Sequence, residues 1–165
     1  MKKYEFTGET KQVGFFGNIT LKRIRATMEF GFVKIGDLGG WIEKEENLSH
    51  EGNAWVWGDA EVYGNAKVWG NAKVWGNAWV WGNAEVFSIS HVLVIGPIGS
   101  RNDFTTFFRD KDSEITVKCG CFIGKIDKFI EKVCETHGDS KYAIVYRSAA
   151  EIAKQQIDLS EEKQL

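Results

Sequence analysis

Cysteine, long apolar runs and net charge are all scarce in this sequence, and each shortage excludes a class of protein. The three cysteines do not form the framework of a small secreted domain, so we expect a reducing, cytoplasmic location. There is no long apolar run and no basic-then-apolar start, so we predict neither a membrane span nor a signal peptide. The 21 basic and 23 acidic side chains leave a net charge of −2, which excludes a general field for DNA or an anionic membrane.

What the sequence has in excess is glycine, tryptophan and a repeated hexapeptide. Across residues 52–87 the order Gly, Asn or Asp, Ala, variable residue, Val, aromatic residue occurs six times. Each Ala stands two positions before a Val, and alternate residues of an extended strand share one side. We therefore predict one buried face of Ala and Val, with corners at Gly followed by Asn or Asp, which accept positive φ.

The spacing from each Val to the next Ala, four residues, resembles the hexapeptide motif of left-handed β-helices. That resemblance implies a triangular coil of three hexapeptides per turn, about 18 residues, whereas the period alone would allow another solenoid. We expect a degenerate turn at each end, with Leu38 and Ile42 before the regular repeats and Ser90 and Val92 after them. Leu48 fits the register poorly.

The predicted fold class is mainly β: a short left-handed triangular parallel β-helix with a small C-terminal β-hairpin plus two helices. We divide the chain into N-terminal strands and a cap (1–51), the repeat coil (52–98) and a C-terminal α+β cap (99–165). Strands outside the coil are predicted at 3–6, 19–26, 104–109 and 114–122.

Two helices are predicted near the C-terminus from apolar residues at helical spacing. The first covers 126–133 and ends at Gly138, and the second begins after Ser140 and reaches about Ile157. The inward-facing residues of the second helix are predicted to be Val145, Ala149, Ile152 and Ala153.

An aromatic residue follows each Val of the repeats and should point outward. At the expected period, aromatic residues 18 positions apart would stack about 4.8 Å from each other. So many outward aromatics exceed what a soluble monomer exposes, so either the flanking segments or other subunits cover them, and the β-helix resemblance favours a homotrimer. The alternative is a stacking surface for bases or other rings. The residues predicted for these roles are Trp57, Tyr63, Trp69, Trp75, Trp79 and Trp81, with Phe87 ending the series.

A predicted turn that contains glycines and several hydrogen-bond donors follows the coil, in the run GPIGSRND. We predict an anion-binding site formed by Gly99, Ser100, Arg101 and Asn102, since glycines let backbone N–H groups turn toward an anion and Arg binds phosphate bidentately. The run lacks the Gly-Lys-Ser/Thr ending of a P-loop. The alternative is that Arg101 pairs with Asp103 and only holds a junction together.

Four further residues, Cys119, Cys121, Cys134 and His137, invite a zinc interpretation. Their spacing does not match common zinc fingers or ribbons, so we favour buried structural cysteines and predict no metal. His91 lies next to a coil position and is the candidate general base if the chain is an acyltransferase.

Three runs of the sequence are distinctive: GDLGGWIEKEENLSHEGNAWVWGDA, GPIGSRND and CGCFIGKIDKF. Together they resemble a family of small hexapeptide-repeat proteins of bacteriophages and prophages, often labelled transferases. The resemblance implies a non-enzymatic, oligomeric accessory protein in the infected bacterial cytoplasm, without a cofactor. Its partners would be itself and either a nucleotide-type ligand or a host defence protein, as expected of a counter-defence factor. The alternatives are a hexapeptide acyltransferase and a structural or scaffold component.

Overall fold

Strands occupy the chain as far as residue 125, and two helices follow. The computed structural model describes residues 1–162, and its sheets contain both parallel and antiparallel pairings. No helix among these residues is long and apolar enough to cross a membrane. The strands are Tyr4–Val13 (β1), Ile19–Ala26 (β2), Leu38–Ile42 (β3), Trp55–Val56 (β4), Glu61–Val62 (β5), Lys67–Val68 (β6), Lys73–Val74 (β7), Trp79–Val80 (β8), Glu85–Val86 (β9), Val92–Ile98 (β10), Asp103–Arg109 (β11), Ile115–Cys119 (β12) and Phe122–Lys125 (β13). The helices are Ile126–His137 (α1) and Lys141–Gln156 (α2), and short 3-10 helices span Glu45–Asn47 and Ile89–His91.

Each repeat forms one two-residue strand that pairs in parallel with the strand three repeats later. Val56 lies beside Val74, 18 positions further on, and β5 with β8 and β6 with β9 keep the same offset. The backbone bonds follow this register; the Trp57 N–H, for example, donates to the Val74 carbonyl oxygen over 2.8 Å. The predicted period of 18 residues per turn is therefore confirmed.

The interior of the coil is a column of small and branched apolar side chains. Every Ala and Val of the six repeats is at most 1% exposed. The six corner glycines have φ between 60° and 68°, a backbone conformation that residues other than glycine rarely adopt. At Gly52 the packing is a second reason, because an added Cβ would lie 2.6 Å from the Gly70 carbonyl oxygen.

The N-terminal end carries the expected degenerate turn. Strand β3 pairs in parallel with β5 so that Ile42 lies beside Val62, 20 positions later. Leu48, which fits the repeat poorly in sequence, bridges to Val68 at the same longer offset and is 1% exposed. Asn47 secures this turn, since its amide donates to carbonyl oxygens of the coil at 3.2 and 2.8 Å.

The expected degenerate turn at the C-terminal end is not formed. Val92 begins β10, which pairs antiparallel with β11, and Ser90 lies in a 3-10 helix. Strands β10, β11, β12 and β13 form one antiparallel sheet in that order, and α1 and α2 pack on it around a second apolar core. The long apolar strand β10 finds its partner in β11 because both present side chains to this helical layer.

Two details of the C-terminal region differ from the predictions. The segment 114–122 is not one strand, because Gly120 adopts φ 55° and turns the chain between β12 and β13. In α2, Ala149 and Ala153 are buried as predicted, but Val145 and Ile152 are 39% and 53% exposed, and Tyr146 and Ala150 are buried instead. Alanines allow the helix to approach the sheet closely, and the buried ring of Tyr146 sets the direction of that face.

Candidate functional site

The glycine turn predicted to bind an anion joins β10 to β11. Gly99 and Asn102 have positive φ, 73° and 52°, and the Asn102 N–H donates to the Gly99 carbonyl oxygen over 3.3 Å. A Cβ at Gly99 would overlap the phenol ring of Tyr146 on α2, so glycine is required by packing as well as by backbone angle. Ser100 and Arg101 stand between these two residues.

A groove of about 530 Å³ opens beside this turn and brings together two candidate sets that are apart in sequence. Its walls come from the β10–β11 turn, the β12–β13 turn, α1 and α2. Ser100 and Arg101 line it from the first set, and Cys119, Cys121 and His137 line it from the second. The glycine and asparagine that flank Ser100 and Arg101 shape the turn without lining the groove.

The four residues considered as zinc ligands do not all lie in this groove. Cys134 is exposed and does not line the groove, so the three thiols are not gathered. The prediction of buried cysteines is wrong for Cys121 and Cys134, which are exposed, and Cys119 is half-buried. Within the described residues, the carboxylates of Asp110, Asp112 and Glu114 do cluster. The Lys125 ammonium pairs with all three, at 2.6, 3.8 and 2.5 Å, so this cluster already holds a cation of the protein itself.

Two cations, Arg101 and Lys132, and one carboxylate, Asp103, line the groove. The Arg101 guanidinium packs against Gly120, with one nitrogen 3.2 Å from where a Cβ would stand. Lys132 lies on α1, where its ammonium pairs with the Glu135 carboxylate at 3.3 Å. Within residues 1–162 no carboxylate forms an ion pair with Arg101; Asp103 instead accepts the Phe104 N–H at 2.7 Å. The Arg101–Asp103 pair considered above is therefore not formed, and the guanidinium is available to an anion.

The opposite side of the groove is apolar and carries proton-exchanging groups. Phe122, Phe129 and Val133 provide the apolar wall. His137, at the end of α1, stacks on Tyr146 with ring centroids 5.7 Å apart. Burial raises the pKa of the Tyr146 phenol, and its neighbour Cys119 raises that pKa further, although hydrogen bonding with Ser100 acts in the other direction. Sequence reasoning missed Lys132 and Tyr146, because nothing in their local pattern points to a shared cavity.

The other two histidines are occupied by structural contacts. His91 is fully buried; its Nδ1 accepts the Phe87 N–H at 3.4 Å and its Nε2 lies 3.3 Å from Glu161. Burial, followed by the charge of Arg109, lowers the pKa of His91. The predicted general base is thus enclosed, because the chain folds its own C-terminal segment over it.

His50 lines a different groove, of about 640 Å³. Its Nδ1 accepts the Lys3 N–H at 3.1 Å and its Nε2 lies 2.7 Å from the Glu45 carboxylate. Both ring nitrogens are therefore engaged, and of the three histidines His137 is the one placed to exchange a proton with a ligand.

The aromatic residues of the repeats stack as predicted but are largely covered. The Trp57 and Trp75 rings are parallel with centroids 5.3 Å apart, and the two other columns have spacings of 5.3 and 4.9 Å. Trp75 is 53% exposed, whereas Tyr63 packs against Leu21 of β2. The Lys118 ammonium lies 4.9 Å from the Trp79 ring. Of the two alternatives, it is the chain's own flanking segments that cover most of these outward aromatic residues, the aromatic stripe, so their exposure is not a reason to expect other subunits. The remaining stripe residues, all buried or half-buried, are Trp57, Trp69, Trp81 and Phe87.

The protein is thus a mainly β protein in which hexapeptide repeats form a coil and two helices pack on a C-terminal sheet. The groove in this C-terminal part is lined by cationic side chains, thiols and apolar rings. No protein-family model matches the chain. Over 62 residues the chain is 36% identical to the uncharacterized acetyltransferase YdcK of Escherichia coli strain K12. That match covers 34% of this chain and 19% of the relative, so the chain spans about a fifth of the length of the protein it resembles.

This similarity corrects one prediction. A non-enzymatic accessory protein was expected, but the similar protein is named an acetyltransferase, which contradicts that expectation and favours the acyltransferase alternative. The expected association with bacteriophages receives no support from it.

Proposed function

We propose that this protein transfers an acyl group from a phosphate-bearing acyl thioester, of the acyl-coenzyme A type, bound in the groove. One observation carries the proposal: a single cavity is lined by Arg101 and Lys132, by an apolar wall and by the half-buried His137. Cations bind the phosphates of such a donor, and an apolar wall holds its thioester arm. A histidine can take the proton of the acceptor. The acetyltransferase named among similar proteins supports the same class of reaction.

Each groove residue has a role in this proposal. Arg101 binds a phosphate group in a charge-assisted pair, worth about 1.5–3 kcal/mol, and Lys132 adds a second, less directional charge. Phe122 and Phe129 hold the apolar part of the donor. His137 takes the proton of the attacking acceptor as a general base.

Calorimetric titration with coenzyme A and acetyl-coenzyme A tests the binding part. Arg101→Ala should weaken binding roughly ten- to a hundredfold, and Arg101→Lys should recover part of the loss because it lacks the planar fork. Lys132→Ala should weaken binding less. Lys128→Ala is the matched control, since it removes a cation from the same helix, one turn earlier, that does not line the groove.

The activity part is tested by following release of the free thiol from acetyl-coenzyme A with a panel of amine and hydroxyl acceptors. His137→Ala should reduce the rate while leaving the affinity for coenzyme A in place, and His91→Ala should leave the rate unchanged if the mutant is folded. Absence of coenzyme A binding in the wild-type protein would contradict the proposal. Adenosine nucleotides belong in the same titration, because the two cations would also serve the nucleotide-type ligand expected from the sequence.

Two further proposals come from the resemblance to left-handed β-helices. We propose that the coil is left-handed and that the protein assembles as a homotrimer. Both proposals are supported by the hexapeptide pattern and the period of 18 residues, two features that this chain shares with left-handed β-helices.

A further inference from the structure

A thiol pair lies in the groove, and the function proposed above assigns it no task. Cys119 ends β12 and Cys121 follows it after Gly120, at the turn into β13. Both line the groove, whereas Cys134, on α1, does not. The chain therefore offers two thiols inside the site and one outside it.

The surroundings of Cys119 differ from those of a passive structural cysteine. It is half-buried, and its sulfur accepts a hydrogen bond at 3.2 Å from the hydroxyl of Thr105, a side chain that is fully buried on β11. A hydroxyl that donates to the sulfur holds it in one position at the wall of the groove. The phenol of Tyr146 is a second neighbour, and His137 stacks on that phenol.

Positive charge is also concentrated at this turn. The Arg101 guanidinium packs against Gly120, between the two cysteines, and the Lys118 ammonium donates to the Gly120 carbonyl oxygen. Cations at this position stabilise the negative charge that develops when a sulfur attacks a carbonyl carbon. Cys121 shares these charges but is exposed at the turn, without the buried hydroxyl that orients Cys119.

We propose that Cys119 is the catalytic nucleophile of this groove and carries the acyl group as a thioester between donor and acceptor. This inference rests on the proposed acyl transfer. His137 takes the proton of the Cys119 thiol. The sulfur then forms a bond to the acyl carbon, the carbon–sulfur bond of the donor breaks, and the leaving thiolate receives the proton from His137. In the second half, an acceptor amine or hydroxyl attacks the same carbon, Cys119 leaves as the thiolate, and the acceptor's proton returns to it through His137.

The test is mass spectrometry of the full chain after incubation with acetyl-coenzyme A and an acid quench. The wild-type protein should gain the mass of one acetyl group, removable by hydroxylamine, and peptide mapping should place it on Cys119. Cys119→Ala and Cys119→Ser should lose the label; the serine variant keeps a hydroxyl at the position, so at least one of the two is expected to fold. Cys121→Ala and the outside control Cys134→Ala should keep it, and His137→Ala should slow its appearance.

The outcomes separate this inference from the proposed function. Transfer to acceptors that persists in folded Cys119→Ala would overturn the nucleophile and leave the acyltransferase standing. A label found on Cys121 or Cys134 would overturn the assignment to Cys119. If coenzyme A does not bind, a small acetyl thioester without a nucleotide replaces it: labelling of Cys119 would then support the nucleophile although the proposed donor is wrong, and absence of labelling would overturn both.

Discussion

Substitution of Val68 tests the inward and outward assignment of the coil. Val68 is 1% exposed and lies between Leu48 on one side and Val86 on the other in the interior column. Its neighbour Lys67 is exposed on the same strand. The two residues therefore form a matched pair that differs in side-chain direction and not in backbone position.

The magnitudes follow from burial. Val68→Ala removes two methyl groups, about 1.6 kcal/mol of transfer free energy, and the cavity left behind raises the loss to roughly 2 kcal/mol. Val68→Asp places a carboxylate among apolar side chains without a partner and should cost on the order of 4 kcal/mol. Lys67→Ala should change the free energy of unfolding by less than about 0.5 kcal/mol.

Thermal unfolding followed by circular dichroism measures these differences. For a chain of this size one kcal/mol corresponds to about 2–4 °C, so Val68→Ala should melt roughly 4–8 °C below the wild type and Val68→Asp lower still. Lys67→Ala should melt within about 2 °C of it. Equal melting temperatures for Val68→Asp and Lys67→Ala would refute the assignment of Val to the interior.

Three other properties can be checked. Gly99→Ala should destabilise the protein by about 1–3 kcal/mol and weaken coenzyme A binding, because the added Cβ displaces Tyr146. The control is Gly138→Ala, at a positive φ of 56° but with open space around the added Cβ; it should lower the free energy of unfolding less and leave binding intact. Asp110, despite burial, has a lowered pKa through bonds from Lys125, Thr116 and two backbone N–H groups. Its contribution is therefore present above the ordinary Asp pKa of about 4 and is lost as the pH falls through the lowered pKa of the folded state, so Asp110→Asn should destabilise the protein at pH 7 and progressively less as the pH falls below about 4 in denaturant titrations. Light scattering coupled to gel filtration should show three chains per particle, and a mass near one chain, 18.7 kDa, would contradict the proposed homotrimer.

Much of the fold could be predicted because its signals are local. The two helices and strand β2 were expected within a few residues of their observed bounds, from apolar spacing and from Gly138 as a stop. The hairpin at Gly120 was missed because the residues on both sides of it favour strands, and one glycine decides the turn. The inward face of α2 was predicted in part: Ala149 and Ala153 are buried as expected, but Val145 and Ile152 are exposed. Val145 is more apolar than Tyr146, and only the packing shows which of them meets the sheet.

By itself the sequence determined the coil. Each hexapeptide finds its partner at a fixed offset of 18 positions, so period, buried columns and aromatic stacking all follow from one repeated pattern. The groove was decided only by the tertiary structure. Arg101, Cys119 and His137 lie on three separate elements, and their meeting depends on how two helices pack on an antiparallel sheet. The covering of the aromatic stripe is likewise tertiary, because exposure depends on which segments of the chain return to pack against it and not on the stripe's own residues.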